Sequence, residues 1–193
     1  MSVTVNKKKR LLRKKYLAAR KELTPNEVYS KSRFIFSNLI NTEVYKKAET
    51  VHCYVSINRQ NEAETRNLIQ FMLGEGKVVV VPKMEVNGML SHYKIRDLEE
   101  LNENRWGVAE PEGDNKRRAD VIEFDLIIVP MVAGDRQKNR LGYGKGYYDR
   151  FLSGLNTTKA GLLFDLQLCE TKLPTDKYDV KMDMLITESA ILG

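Results

Sequence analysis

The sequence of 193 residues predicts an α/β fold, a three-layer α/β/α sandwich with a mostly parallel, Rossmann-like sheet. Three observations carry that prediction. The runs Val78-Val79-Val80-Val81-Pro82 and Leu126-Ile127-Ile128-Val129-Pro130 are too apolar to face water on either side, as expected of strands covered by helices on both faces. Shorter apolar runs alternate with helical periodicity along the chain, the pattern of parallel strands joined by crossovers. Two amphipathic helices precede the first strand.

The elements follow in order. Leu12, Tyr16, Ala19 and Leu23 recur at helical spacing, so this stripe is predicted to face a core with the lysines and arginines fanning out on the other side. Thr24-Pro25-Asn26-Glu27 has the form of a capping box with proline at the first helical position, and Val28, Ile35 and Leu39 continue a second helix. These helices occupy residues 1–45 of one predicted domain, 1–193. Val51 to Val55 is a short β-branched run, and Thr65 to Leu73 reads as a helix stopped at Gly74. Gly161-Leu162-Leu163-Phe164 and Met184-Leu185-Ile186-Thr187 complete the set of candidate strands.

Composition narrows the function classes. No segment approaches a membrane span and the start of the chain is charged, so a cytoplasmic protein with no membrane contact is expected. Cys53 and Cys169 form no CxxC pair, which fits a reducing compartment. Of the 32 Lys/Arg, nine fall in residues 1–21, which hold no acid; the remainder carries 23 basic against 26 acidic residues. The basic arm reads either as a nucleic-acid footprint or as a solvated helix face. His52 and His92 stand far from other soft ligands, so zinc is not expected.

The stretch RLGYGKGYYDRFL, Arg140 to Leu152, follows the second strongly apolar strand. Ligands in open α/β sheets sit beyond the carboxyl ends of the strands, which places this stretch at the mouth of a site. Gly142, Gly144 and Gly146 alternate and match neither GxGxxG nor a Walker loop. Bare backbone beside a helix start can still point N–H groups at an anion, and Lys145 adds a full charge; a tight or flexible turn is the alternative. Asp149 in the first turn either complements the helix dipole or serves Mg²⁺ beside a polyphosphate.

The longer run VPMVAGDRQKNRLGYGKGYYDRFL resembles the signature of the 5-formyltetrahydrofolate cyclo-ligase family. The resemblance extends to Lys9 and Arg13 in a KxxxR start, to YVS and NEAET within Tyr54 to Thr65, and to VVVVPKM. It continues through WGVAEP from Trp106 to Pro111, FDLIIVP and KMDMLIT. Gly134 departs from the pattern where an aromatic is usual, Asn139 where glycine is common, and Tyr178 where histidine is frequent before Asp179.

The resemblance implies an ATP-dependent ligase of one-carbon metabolism that converts 5-formyltetrahydrofolate to 5,10-methenyltetrahydrofolate with release of ADP and phosphate. It assigns ATP contacts to Lys9, Arg13, Arg140, Leu141, Gly142, Tyr143, Gly144, Lys145, Gly146, Tyr147 and Tyr148. Lys145 and Arg140 would be catalytic, with Lys145 on the γ-phosphate. Folate contacts fall to Glu62, Ile57 and Trp106, and to Tyr143, Gly144, Lys145, Gly146 and Tyr147. Asp149 and Asp183 would hold Mg²⁺. A monomer acting on small molecules, without nucleic acid, is the corresponding expectation. Two readings of other classes stand beside it: a nucleic-acid-binding module using the arm with Tyr147 and Tyr148 as stacking platforms, and a sugar-phosphate isomerase, which needs a positioned general base.

Overall fold

A computed structural model describes residues 3–104, 107–112, 115–121 and 124–193. The chain opens with α1 (Val3–Lys21), α2 (Pro25–Ile40) and α3 (Glu43–Lys47), then β1 (Thr50–Cys53), α4 (Arg66–Gly74), β2 (Val78–Met84) and β3 (Leu90–Ile95). A short hairpin, β4 (Leu101–Glu103) and β5 (Ala109–Pro111), precedes β6 (Leu126–Pro130). Then come β7 (Ala133–Asp135), β8 (Arg140–Leu141), α5 (Tyr147–Leu152), β9 (Thr158–Leu162), β10 (Leu168–Cys169), β11 (Met184–Ile186) and β12 (Ile191–Leu192).

The main sheet has the order β12-β11-β9-β6-β1-β2-β3. Its five inner strands run parallel, and the edges β12 and β3 are antiparallel. The apolar runs are continuous because alternate residues supply two cores. Val79, Val81, Leu126 and Ile128 enter the layer beneath α2 and α4 with Ile35, Leu39, Leu68 and Met72. Val80, Ile127 and Val129 enter the opposite layer beneath α5 with Phe151 and Leu152. Each such buried side chain contributes about 1.5–3 kcal/mol, so truncating Ile128 to alanine costs about 2–5 kcal/mol.

Thr24 caps α2 as expected: its hydroxyl accepts from Glu27 N–H at 3.3 Å and Glu27 Oε2 accepts from Thr24 N–H at 2.8 Å. Two expectations hold with small adjustments. The helix α4 runs to Gly74 and closes only where Lys77 N–H donates to Met72 O at 3.0 Å. The predicted stripe faces the core at Leu12, Tyr16 and Leu23, but Ala19 is exposed, and Lys9 and Arg20 are buried as well. The buried Lys9 and Arg20 find hydrogen-bond partners across the cleft, described below.

The hairpin β7–β8 packs on β10 in a second, small sheet. Asp135 Oδ1 accepts from the backbone N–H of Gln137 and Asn139, and its Oδ2 accepts from Asn139 Nδ2 at 2.8 Å and Leu173 N–H at 2.7 Å. The amide side chain of Asn139 thus helps close the turn. Gly134 lies in β7 against Leu185, Met131 and Leu163. That departure is accommodated in the core and does not shape a pocket wall.

Candidate functional site

The site gathers at the carboxyl ends of β1 and β6, between the loop 54–65, the glycine loop 142–146 and α1. Loop 54–65 is closed on itself. Ser56 N–H donates to Thr65 Oγ1 at 3.0 Å, Thr65 N–H to Ser56 Oγ at 3.2 Å, and Thr65 Oγ1–H to Tyr54 O at 2.8 Å. Asn61, in the left-handed region at φ 49°, donates to Leu23 O at 2.8 Å and Arg20 O at 3.2 Å, fastening the loop to the end of α1.

This clasp turns Glu62 inward. Its Oε2 accepts from Ile57 N–H at 2.8 Å, its Oε1 accepts from Tyr143 Oη–H, and Arg20 Nη2 donates to Tyr143 Oη at 2.7 Å. Burial pushes the Glu62 carboxyl above its ordinary pKa, opposed first by the Arg20 charge and then by these hydrogen bonds. The same burial raises Tyr143, so its hydroxyl stays protonated.

The three glycines of the loop each lie against a guanidinium. A methyl group on Gly142 would fall 2.6 Å from Arg140 Nη1, one on Gly144 would fall 3.0 Å from Arg13 Cζ, and one on Gly146 would fall 2.7 Å from Arg150 Nη1. Gly144 and Gly146 also sit at φ +95° and +73°, where a side chain is strained. Arg13 Nε donates to Gly142 O at 2.7 Å, and Arg150 Nη2 donates to Lys145 O at 3.0 Å. Bare backbone here admits three arginine side chains against the loop. Lys145 is exposed, and no carboxylate pairs with it among the described residues.

The other nominated residues separate into two groups. Arg140 is buried, donating to Asp149 Oδ1 at 2.8 Å and to Pro130 O at 3.3 Å. It braces the loop and Asp149 more than it reaches outward. Lys9, 4% exposed, is held by both oxygens of Asp179 at 2.6 and 2.5 Å. Tyr147 stacks under Arg150, 5.6 Å from ring centroid to Cζ. Leu141 and Tyr148 turn their side chains into the core. Leu141 is buried in a cluster with Tyr16, Val132 and Leu173, and Tyr148 packs against both cores with its hydroxyl enclosed and unpartnered.

Asp183 stands apart from the other nominated residues. It stands at the amino end of β9 and β11, where its Oδ2 accepts from Lys159 N–H at 2.8 Å and faces Lys159 Nζ at 3.5 Å. It shares no partner with Asp149, and no group of three potential metal ligands occurs among the described residues. Trp106 lies outside the described residues.

Sequence reasoning missed Arg20, Asp179 and Arg150. A signal existed for Arg20: positions 9, 13 and 20 share one helical face, since seven residues make about two turns. A groove of about 600 Å³ between β3, residues 118–121 and the end of α5 has His92, Arg118, Arg150 and Phe151 in its walls. It contains none of the nominated residues; Arg150 separates it from the glycine loop. No helix among the described residues is long and apolar enough to cross a membrane.

Comparison with known proteins gives the family of the chain. Residues 5–188 match the model of the 5-formyltetrahydrofolate cyclo-ligase family. A probable 5-formyltetrahydrofolate cyclo-ligase of Schizosaccharomyces pombe is 31% identical over 185 residues, covering 89% of this chain and 90% of its own. The Escherichia coli K12 5-formyltetrahydrofolate cyclo-ligase is 29% identical, covering 89% and 96%. Among solved structures, Aquifex aeolicus 5,10-methenyltetrahydrofolate synthetase superposes with a TM-score of 0.83 at 34% identity, covering 95% of this chain and 91% of that one.

Proposed function

Because the chain belongs to the 5-formyltetrahydrofolate cyclo-ligase family and is an enzyme of that family, we propose that it cyclises 5-formyltetrahydrofolate at the expense of ATP in the cleft between Glu62 and Lys145. In the first step the formyl oxygen attacks the γ-phosphorus of ATP, the bond to the β,γ-bridging oxygen breaks, and ADP leaves. In the second, N10 attacks the activated carbon and loses its proton, and phosphate departs. A formamide oxygen leaves poorly, whereas its phosphorylated form leaves well. Catalysis then consists of placement and charge stabilisation, with no acid–base dyad required.

The roles follow from the surroundings of each side chain. Lys145, an exposed ammonium without a carboxylate partner among the described residues, meets the γ-phosphate. Arg13 and the backbone N–H groups of residues 142–146 receive the other phosphates. Arg140 positions the loop and Asp149. Lys9 joins the phosphate set on exchanging Asp179 for nucleotide. Glu62 receives the amino-pyrimidine edge of the pterin, with Ile57 and Tyr147 beside it.

Asp149 suits a magnesium ion carried by ATP: one oxygen is committed to Arg140 and the other has no hydrogen-bond partner among the described residues. When bound, Mg²⁺ neutralises phosphate charge, and it prefers one or two carboxylates with phosphate and water oxygens. A monomer in the cytoplasm belongs to the same reading, and the two buried, unpaired thiols of Cys53 and Cys169 support that compartment.

The observation that carries the proposal is the Tyr143 bridge. Tyr143 bonds Glu62 and stands two residues before Lys145, which supports a reading in which one short loop holds the pterin and phosphate ends side by side. The test is to follow the absorbance of methenyltetrahydrofolate when purified protein meets 5-formyltetrahydrofolate with and without Mg-ATP. Product only with Mg-ATP, accompanied by equimolar ADP, is expected; product without ATP, or none with it, would overturn the proposal.

A further inference from the structure

Arg20 is 1% exposed, the most deeply enclosed charge of the basic arm, and the reaction above gives it no step. Its Nε donates to Gln60 O at 2.8 Å, its Nη1 to Met131 O at 3.3 Å and its Nη2 to Tyr143 Oη at 2.7 Å. A guanidinium only donates, so the tyrosine oxygen must accept. The tyrosine proton is thereby turned toward Glu62, whose oxygen must accept in turn. Polarity runs one way along the chain from Arg20 through Tyr143 to Glu62.

We infer that Arg20 is a positioning residue for folate selection: acting through Tyr143, it holds Glu62 as an oriented, charged acceptor for the amino-pyrimidine edge of the pterin. The inference rests on the assignment of Glu62 as the folate contact. An ionised carboxylate offers about four lone-pair sites. Ile57 and Tyr143 occupy one on each oxygen, which leaves sites for two parallel N–H donors of the ligand. A protonated Glu62 would set a donor against a donor and lose one of those bonds. Burial favours that protonated form, and Arg20 is the first of the influences that oppose it.

Tyr143→Phe tests the link by removing one oxygen from the chain while retaining the ring. Arg20→Gln and Arg20→Lys test its origin, and Glu62→Gln tests the assignment beneath it. For each full-length variant, kcat and the KM for 5-formyltetrahydrofolate and for Mg-ATP are measured from about pH 6 to about pH 8. Tyr143→Phe and Arg20→Gln are expected to raise the folate KM about tenfold or more at neutral pH, increasingly so toward acid. The KM for ATP should change far less, and Arg20→Lys should recover part of the loss. Should Arg20→Gln fail to fold, Tyr143→Phe decides alone. A folate KM in Tyr143→Phe equal to wild type at every pH, with Glu62→Gln impaired, would sink the role of Arg20 and spare Glu62. An unchanged folate KM in Glu62→Gln would remove both.

Discussion

Lys9 Nζ lies 2.6 Å from Asp179 Oδ1 and 2.5 Å from Oδ2, although 170 residues separate the two in sequence. The pair ties the first helix to the loop before β11, and both side chains are largely withdrawn from water, at 5% and 16% exposure. Asp179 Oδ2 also accepts from Asp176 N–H at 2.6 Å, which fixes its rotamer.

Asp179→Asn should therefore destabilise the protein by about 3 kcal/mol, because it leaves a buried ammonium without its counter-charge. Urea unfolding would show this as a lower midpoint with an unchanged slope. Adding Lys9→Met should recover a large part of that loss, since the uncompensated charge is then gone.

Lys145→Ala should lower turnover by about a hundredfold or more if the ammonium meets developing phosphate charge. Its exposure and lack of an ion-pair partner among the described residues mean that stability should change by less than about 0.5 kcal/mol. Steady-state kinetics beside a thermal melt separates the two effects.

Gly144→Ala carries two penalties, a strained φ of +95° and an approach of 3.0 Å to Arg13 Cζ. The backbone term alone is about 1–2 kcal/mol, and displacement of Arg13 should weaken ATP binding further. Calorimetric titration with a non-hydrolysable ATP analogue should show weaker nucleotide affinity with folate affinity affected less.

Acid sensitivity should arise from a histidine pair remote from the reaction. His52 Nε2 and His92 Nδ1 lie 3.2 Å apart among the rings of Phe124 and Phe151. Burial holds His52 well below the ordinary histidine range, and burial with the charge of Arg118 lowers His92 to about 4. The unfolded chain binds these protons near pH 6.5 and the folded one resists them, so stability should fall as pH drops from about 6.5 through about 4. The raised carboxyl of Glu62 acts in the opposite direction. Urea midpoints measured from about pH 7 to about pH 4.5 should decline, and His92→Phe should flatten the decline.

The fold was legible where one physical demand dominates. Val78–Val81 and Leu126–Pro130 read correctly because strands buried on both faces need unbroken apolar side chains. Leu90–Ile95 escaped notice: Ser91, His92 and Lys94 do not resemble a sheet strand until His92 is seen to bond His52 and Tyr93 is seen to pair with Val81. At the site, the glycine loop and Asp149 were visible in their residue types. Glu62 was visible only through family resemblance, because an acid in a polar loop looks solvated until the Ser56–Thr65 clasp folds it inward. Arg20 and Asp179 were invisible for a related reason: their partners, Tyr143 and Lys9, are distant in sequence.

The inward-reaching basic side chains of α1 have a consequence for how the molecule comes apart. Lys9, Arg13 and Arg20 connect that helix to the loop before β11, to the glycine loop and, through Tyr143, to Glu62. Undocking α1 would dismantle the proposed phosphate grip and the proposed pterin anchor in a single event. Fraying at the start of the chain would thus silence both substrate affinities together, making the first helix a cooperative unit with residues more than a hundred positions away.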